Sequence, residues 1–303
     1  MALFEITKEN IKYIKEEKFK LEKEIQQLTE DNLSSIFGLD FVKSEFALNN
    51  FRLDSLAFDK KSNSFVIIEY KRDKSFSVVD QGYAYLSLML NNKADFILEY
   101  NENTQHTLKR NDIDWSQSRV MFISPSFTTY QKEAINFKDL PIELWEIKKY
   151  ENQTVSYNQI QTSGAEESIK TISRENDTFS SVNKEIKVYT EDDTLARANE
   201  EIKELYKKFK MAILNFGNIE IKANKFYISF IKNSVNVTDF EVLTKSIKIT
   251  INLQKNVLND PKEITRDMSN IGKMGNGDYQ IKIINDNDIE YILSLIKQSY
   301  NLK

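Results

Sequence analysis

The 303-residue chain is 40% hydrophobic and 29% charged, carries a formal net charge of −4 at pH 7, and is long enough for two domains with separate cores. It contains no cysteine and a single histidine, His106, which excludes disulfides, cysteine zinc sites, thiol nucleophiles and metal sites built on paired histidines. Any catalysis must therefore rest on carboxylates, lysine and a metal ion. Because the net charge is negative, any contact with nucleic acid must come from a local basic patch.

The beginning of the chain shows no targeting signal. Residues 1–20 have no apolar segment followed by a small-residue cleavage site. No apolar run in the chain approaches the roughly 20 residues that a membrane-spanning helix needs. We therefore expect a cytoplasmic protein with no membrane partner.

The first half of the chain alternates between helical and strand patterns. Apolar residues recur at helical spacing across residues 9–34, which predicts an opening helix. After it we predict strands at 41–48, 52–59 and 64–71, a helix at 77–91, strands at 94–100 and 119–125, a helix near 128–137 and a strand at 142–150. This order is typical of an α/β domain, here residues 1–150, built around a mixed sheet.

The second half begins with a stretch that lacks periodicity. Residues 151–190 are polar and rich in Ser, Thr, Asn and Gln, which predicts an interdomain linker with room for a local helix or for a strand at its start. Residues 191–303 predict a smaller α+β domain, with a helix at 193–217, strands at 225–232, 239–243, 246–253 and 279–284, and a final amphipathic helix at 286–300.

Two carboxylates and a lysine stand out in the predicted hairpin of residues 52–71. Side chains alternate faces along a strand, so Glu69 and Lys71 project together. If the hairpin loop centres near residue 62, Asp54 pairs with Glu69 or Tyr70. Oxygen ligands at that spacing suit Mg²⁺ or Mn²⁺.

An ordinary surface ion pair on a strand edge is the alternative interpretation of Glu69 and Lys71. The run Phe65–Tyr70 is apolar except for Glu69, which indicates a strand buried on both faces. Charges in such a strand need partners, because an unpaired buried charge is costly. We therefore favour a metal site.

The spacing Asp54-x14-Glu69-x-Lys71 resembles the signature of the PD-(D/E)XK nuclease superfamily. The segment 52–54, Arg-Leu-Asp, is similar to the G-R-I-D variant of NucS-like endonucleases, with Phe51 in the place of the glycine. This resemblance implies a restriction-endonuclease-like fold with a mixed central sheet, and metal-dependent hydrolysis of phosphodiester bonds.

Two further segments extend the resemblance on either side of the hairpin. Residues 22–26, Glu-Lys-Glu-Ile-Gln, match the E-x-x-L-Q opening helix of these endonucleases, and residues 81–85 resemble their Q-x-x-x-Y helix. Glu22 and Glu24 compete for the role of the helix glutamate. We favour Glu22 for its spacing and because it borders the apolar stripe of Leu21 and Ile25.

The resemblance also implies roles for single residues. Asp54, Glu69 and the Tyr70 carbonyl would bind Mg²⁺ or Mn²⁺, and Lys71 would orient or deprotonate the attacking water and neutralise charge on the phosphate. Glu22 would hold a second ion or a water on the metal. Gln81 would position the site or contact the nucleic-acid backbone, with a satisfied polar helix residue as the alternative, and for Tyr85 we favour core packing. The implied partner is DNA in preference to RNA, the form of the DNA is left open with single-stranded and branched forms among the candidates, and related nucleases often work as homodimers.

The stretch from about residue 193 resembles a domain of unknown function that occurs alone or behind nuclease-like domains and is sometimes labelled "predicted transport protein". The matching segments are residues 225–229, 271–278 and 295–300. The glycine-rich segment 271–278 lacks the Lys-Ser/Thr of a P-loop, and we predict a tight turn with positive φ at glycine.

Two other functions remain open from the sequence. The first is a catalytically inactive nuclease-fold module that binds nucleic acid or a protein partner. The second places the main function in the C-terminal domain, with the N-terminal half supporting it.

Overall fold

The computed structural model describes residues 2–6, 8, 10–72, 77–160, 167–169, 177–233, 235–270 and 277–303. The chain divides into two compact units, Met1–Val188 (unit 1) and Tyr189–Lys303 (unit 2). Within the described residues, no helix combines the length and the apolar composition that crossing a membrane would need.

Unit 1 is built around a seven-stranded mixed sheet, as predicted. The strands described in this unit are β1 (Leu3–Ile6), β2 (Ile11–Ile14), β3 (Glu16–Glu17), β4 (Asp40–Leu48), β5 (Phe51–Asp59), β6 (Ser64–Tyr70), β7 (Arg119–Ser124), β8 (Ile142–Tyr150) and β9 (Val155–Gln159). The sheet has the order β3-β8-β7-β6-β5-β4, and β9 also pairs with β8. Strands β4, β5 and β6 are antiparallel, whereas β6, β7 and β8 are parallel.

Strand β6 is buried along its whole length, as its apolar sequence predicts. Its alternate side chains enter two different cores. Phe65 and Ile67 lie in one cluster of buried residues, and Val66 and Ile68 lie in another.

Helices cover both faces of this sheet. The described helices are α1 (Glu22–Glu30), α2 (Leu33–Phe37), α3 (Val78–Asn91), α4 (Lys93–Asn103), α5 (Thr129–Ala134) and α6 (Asp177–Glu185), with short 3-10 helices at Arg110–Asp112 and Trp115–Gln117. Ile25 of α1 packs in the cluster that contains Val66, whereas Leu86 of α3 packs in the cluster that contains Phe65. Helices α1 and α3 therefore approach β6 from opposite faces.

Two predictions for the first half are wrong, and the first concerns residues 94–100. The segment 94–100, predicted as a strand, lies in helix α4, where Phe96 and Tyr100 are both buried while Asp95 is exposed. These two aromatic residues are four positions apart and therefore share one helix face. They pack against Phe65, with ring centroids 5.7 and 6.3 Å away.

The predicted helix over residues 9–34 exists only in its second part. Residues Ile11–Ile14 form β2, which pairs antiparallel with β1, and the helix begins at Glu22. Ile11 and Ile14 are three positions apart, which is a helical spacing, but in the strand they fall on opposite faces and only Ile14 is buried, so the helical periodicity was misleading there.

Parts of the predicted linker, residues 151–190, form a strand and a helix, both of which its sequence allowed. Its start forms β9, which pairs with β8, and α6 places Val182 in the core with 0% exposure. Tyr83 stacks on Phe179, with 4.0 Å between the ring centroids. The described part of this segment up to Val188 therefore belongs to unit 1, where a few apolar residues in a polar sequence pack in its core.

Unit 2 has a six-stranded antiparallel sheet with the order β10-β11-β12-β13-β15-β14. Its described elements are α7 (Glu191–Leu195), α8 (Glu200–Leu214), β10 (Glu220–Ala223), β11 (Ile228–Lys232), β12 (Val235–Leu243), β13 (Ser246–Ile251), β14 (Arg266–Asp267), β15 (Tyr279–Ile283) and α9 (Ile289–Asn301). Buried residues of α8 and α9, such as Phe209 and Leu295, pack with the sheet in one core. The predicted α+β class is confirmed, although the predicted helix 193–217 is interrupted between α7 and α8.

Candidate active site

The predicted carboxylates meet at the end of the β5–β6 hairpin. Ser55 pairs with Ile68 in the strand register, which places Asp54 opposite the end of β6. Asp54 Oδ2 accepts a hydrogen bond from the Tyr70 backbone N–H over 2.9 Å. The backbone of the hairpin therefore fixes the Asp54 carboxylate beside Glu69 and Tyr70.

Glu69 is a buried carboxylate, with 3% exposure. Its Oε1 accepts two hydrogen bonds, from Lys71 Nζ at 2.5 Å and from Gln81 Nε2 at 2.8 Å. Its Oε2 is buried and has no hydrogen-bond partner among the described residues. Since an unsatisfied carboxylate oxygen is costly inside a protein, this atom marks a place for a further positive or donor group.

Lys71 follows β6 and is held by the neighbouring strand. Its backbone N–H donates to the Ile123 carbonyl over 2.9 Å, and its side chain is 22% exposed. Burial alone would lower the pKa of this ammonium, but the hydrogen bond and the charge of Glu69, with the charge of Asp54, raise it. Lys71 is therefore a cation at neutral pH.

The charge of Asp54 is incompletely compensated. Burial, and next the nearby charge of Glu69, raise the pKa of the Asp54 carboxyl to about 7. The hydrogen bond from Tyr70 and the charge of Lys71 act in the opposite direction without offsetting them. Two carboxylates this close therefore favour a bound cation.

Helix α3 brings Gln81 to the site. Its Nε2 donates to Glu69 Oε1 and also to the Tyr85 hydroxyl, at 2.8 Å in each case. The helix approaches the sheet closely at Gly82, where a Cβ atom would lie 2.5 Å from Ile142 Cδ1. Gly82 therefore allows the short distance that Gln81 needs to reach Glu69.

The structure separates the two candidate glutamates of α1. Glu22 Oε2 accepts the Arg72 backbone N–H over 2.8 Å, and its charge contributes to raising the pKa values of Asp54 and Lys71. Glu24 Oε2 instead accepts the Lys20 backbone N–H at the start of the helix. The geometry thus places Glu22, and not Glu24, beside the site.

Gln26 is a site-organising residue that the sequence reasoning missed. It is 4% exposed, and its Nε2 donates to the Asp54 carbonyl over 2.9 Å and to Ser44 Oγ over 3.1 Å. These bonds connect α1 to β4 and β5. The signal was present, because Gln26 is the final residue of the E-x-x-L-Q pattern.

The residues present fit a hard divalent cation. Among the residues that the structure describes, no group of three or more His, Cys, Asp and Glu side chains could hold a metal ion. A cation here would therefore rely on Asp54, Glu69, the Tyr70 carbonyl and water, and Mg²⁺ accepts one or two carboxylates while keeping several waters. The partnerless Glu69 Oε2 and the raised pKa of Asp54 both support this fit.

Comparison with known sequences gives two matches. The family model described as "Domain of unknown function (DUF5655)" matches residues 191–303, which confirms the predicted resemblance of the C-terminal stretch to a domain of unknown function. An uncharacterised protein of Haemophilus influenzae is 50% identical over 300 residues, which cover 99% of each chain.

Two solved structures are similar to about half of this chain. A repair endonuclease from Pyrococcus abyssi is 19% identical, with a TM-score of 0.29 over 48% of this chain. A complex of EndoMS with double-stranded DNA is 17% identical, with a TM-score of 0.29 over 48% of this chain. Each match spans 64% of the other chain.

Proposed function

We propose that this chain, which belongs to one family with the Haemophilus influenzae protein, is a metal-dependent nuclease that hydrolyses phosphodiester bonds in DNA. The observation that carries the proposal is the buried Glu69 Oε2, which lacks a partner among the described residues and lies beside a second carboxylate and an ammonium. Two carboxylates and a lysine supply the ligands and the cation that hydrolysis of a phosphodiester requires.

The metal would be held by Asp54, Glu69 and the Tyr70 carbonyl, with Mg²⁺ or Mn²⁺ as the ion. When bound, such an ion neutralises charge on the scissile phosphate and activates a water at neutral pH. The backbone of the hairpin holds Asp54 through the Tyr70 N–H, so the two carboxylates need little rearrangement before binding.

Lys71 acts as a cation in this proposal. Its raised pKa favours the protonated form, which can donate hydrogen bonds to a phosphate oxygen and orient the attacking water. A lysine that served as a general base would need a lowered pKa. Of the roles that we considered for Lys71, charge neutralisation and orientation are therefore the ones the structure supports best.

Gln81 and Glu22 have supporting roles. Gln81 holds Glu69 Oε1, and so helps to direct Oε2 away from the helix. Glu22 lies on the opposite side of the hairpin end, where it holds the Arg72 backbone and adds negative charge near Asp54. A second ion or an ordered water between Glu22 and the site is compatible with this placement.

Cleavage of labelled single-stranded, duplex and flap DNA tests the proposal. The full chain is incubated with each substrate in Mg²⁺, in Mn²⁺ and in EDTA. We expect cleavage of at least one form with a divalent metal and none in EDTA. Binding without cleavage in either metal would instead support the inactive binding module. For such a module, the net charge of −4 makes DNA the less favourable partner and a protein the more favourable one.

A further inference from the structure

Phe51 is an exposed aromatic residue at the start of β5, three residues before Asp54. It is the first residue of β5, pairs with Leu48 across the β4–β5 turn, and is 42% exposed. Asn49 adopts φ 54° in that turn, a conformation that asparagine tolerates better than most residues. Phe51 is thus fixed by a strand ladder, while much of its ring surface is open.

A chain of contacts connects Phe51 to Glu69. Its ring meets Tyr85 edge to face, with 6.2 Å between the centroids and an interplanar angle of 78°. Tyr85 is buried, and its hydroxyl accepts the same Gln81 amide that donates to Glu69. A path of two side chains, Tyr85 and Gln81, therefore joins Phe51 to the carboxylate at the centre of the site.

The charges next to Phe51 favour an anionic chain. Arg52 and Lys23 both pair with Glu45, and the side chains of these two cations are 68% and 59% exposed. The hydrogen bond from Arg52 is the largest influence that lowers the pKa of Glu45, which is therefore ionised. Arg52 and Lys23 are therefore exposed cations near the start of the strand that carries Phe51, and arginine and lysine are common contacts of a phosphate backbone.

We propose that Phe51 is a substrate-contacting residue that stacks on the nucleobase next to the bond that is cut. The inference rests on the proposed nuclease function and adds a specificity-determining residue to it. Every base has a face that can stack on an aromatic ring, so the contact is independent of sequence. A base inside a duplex is already stacked on both faces, so Phe51 selects nucleotides that are unpaired.

Binding of a fluorescein-labelled oligothymidylate tests this role without cleavage. The measurements use the full chain with the substitution Asp54→Asn, which removes one carboxylate from the path of the phosphate. The buffer contains EDTA. Phe51→Ala and Phe51→Leu should each lose about tenfold in affinity for the single strand, because neither side chain has an aromatic face. Phe51→Trp should keep the affinity, and its fluorescence should be quenched on binding. Duplex affinity should be unchanged in all three variants.

Phe41 provides the matched control. It is 41% exposed on the same β4–β5 ladder but pairs with Ala57, about 20 Å along β5 from Phe51 at the usual rise of a strand. Phe41→Ala should bind within twofold of the parent protein. The inference is overturned if Phe51→Leu binds like the parent, if Phe41→Ala loses as much affinity as Phe51→Ala, or if the parent does not bind the oligonucleotide. A chain that binds in this way but never cuts DNA would contradict the nuclease function alone.

Discussion

The side-chain amide of Gln81 donates a hydrogen bond to Glu69 Oε1, and this bond joins helix α3 to the central strand β6. The same amide donates to Tyr85 within the helix. Gln81 thus occupies one oxygen of the buried carboxylate, while the other oxygen has no partner among the described residues. The bond therefore satisfies Oε1 of Glu69 and leaves Oε2 available to a cation.

Loss of the Gln81 amide should weaken both folding and catalysis. In Gln81→Ala, Glu69 Oε1 keeps only Lys71, so we expect a loss of roughly 1.5–3 kcal/mol in the free energy of unfolding, the range for a hydrogen bond to a charged group. Urea denaturation measures it. Gln27→Ala is the control, because exposed Gln27 bonds only to Asp31. Equal stability of the two variants would show that the Gln81–Glu69 bond contributes nothing.

The raised pKa of Asp54 predicts how the stability of the metal-free protein depends on pH. A carboxyl group whose pKa is raised by folding binds its proton more tightly in the folded chain than in the unfolded chain. The free energy of unfolding is therefore highest below about pH 4, and it declines as the pH rises through about 7. The decline should be on the order of 4 kcal/mol, at about 1.4 kcal/mol per pKa unit.

Asp54→Asn should abolish that decline, since asparagine does not ionise. Urea denaturation in EDTA at several pH values, with Asp95→Asn at an exposed position as control, measures the difference. Addition of Mn²⁺ at pH 8 should raise the stability of the parent protein and of Asp95→Asn, and should leave the stability of Asp54→Asn unchanged. A parent profile that is flat between pH 4 and 8 would contradict the proposed charge repulsion.

The two glutamates of α1 should differ in their effect on activity. Glu22→Gln removes a charge that acts on both Asp54 and Lys71, whereas Glu24 bonds to the backbone of Lys20. We expect a drop of about tenfold or more in cleavage rate for Glu22→Gln, about 1.4 kcal/mol in the activation barrier, and a change within twofold for Glu24→Gln. The opposite order of the two variants would show that Glu24 serves the site.

Gly277 should tolerate no side chain, for a reason other than the predicted positive φ. A Cβ atom there would lie 1.8 Å from the Ile251 carbonyl oxygen and 2.8 Å from Asn252 Cα. Both atoms belong to the backbone, which moves less readily than the end of a flexible side chain. Gly277→Ala should destabilise unit 2 by about 3 kcal/mol, the upper end of the usual cost of overpacking. The other residues of the predicted glycine turn, 271–276, lie outside the described residues.

A thermal melt followed by two signals isolates this effect. The two tryptophans, Trp115 and Trp145, both lie in unit 1, so their fluorescence reports that unit, whereas far-ultraviolet circular dichroism reports both. Gly217→Asn is the control, because asparagine tolerates the φ of +87° at that glycine better than most residues, and a Cβ atom there would meet the Tyr300 hydroxyl only at 3.8 Å. An unchanged dichroism melt for Gly277→Ala would refute the close approach.

The central part of the fold was predictable because its signals are local. The alternation in β5 and the apolar run of β6 indicate a buried hairpin, and the hairpin alone brings Asp54 to Glu69. The face shared by Glu69 and Lys71 follows from the period of a strand, and the bond of Lys71 to Glu69 agrees with it.

The rest depended on contacts that are distant in sequence. Helix α4 was mistaken for a strand because its apolar run is short, and only packing of Phe96 and Tyr100 on one face decides between the two. Val182 was assigned to a linker because nothing near it in sequence shows that it fills a core. The E-x-x-L-Q pattern includes Gln26, but its role was overlooked because its partner, the Asp54 carbonyl, is a backbone atom that is distant in sequence.

The most direct test of the account is the rate of DNA cleavage in Mn²⁺ at saturating enzyme, compared for the wild-type protein, Glu69→Gln and Lys71→Ala. Lys93→Ala is the control, because Lys93 is also a partly buried, ion-paired lysine (27% exposed against 22% for Lys71) but lies at the start of α4. We predict metal-dependent cleavage by the wild type and by Lys93→Ala, and a loss of at least about 100-fold in the other two variants. Wild-type rates in Glu69→Gln and Lys71→Ala, or no cleavage of any DNA form by the wild type, would contradict the assignment of this site as a nuclease centre.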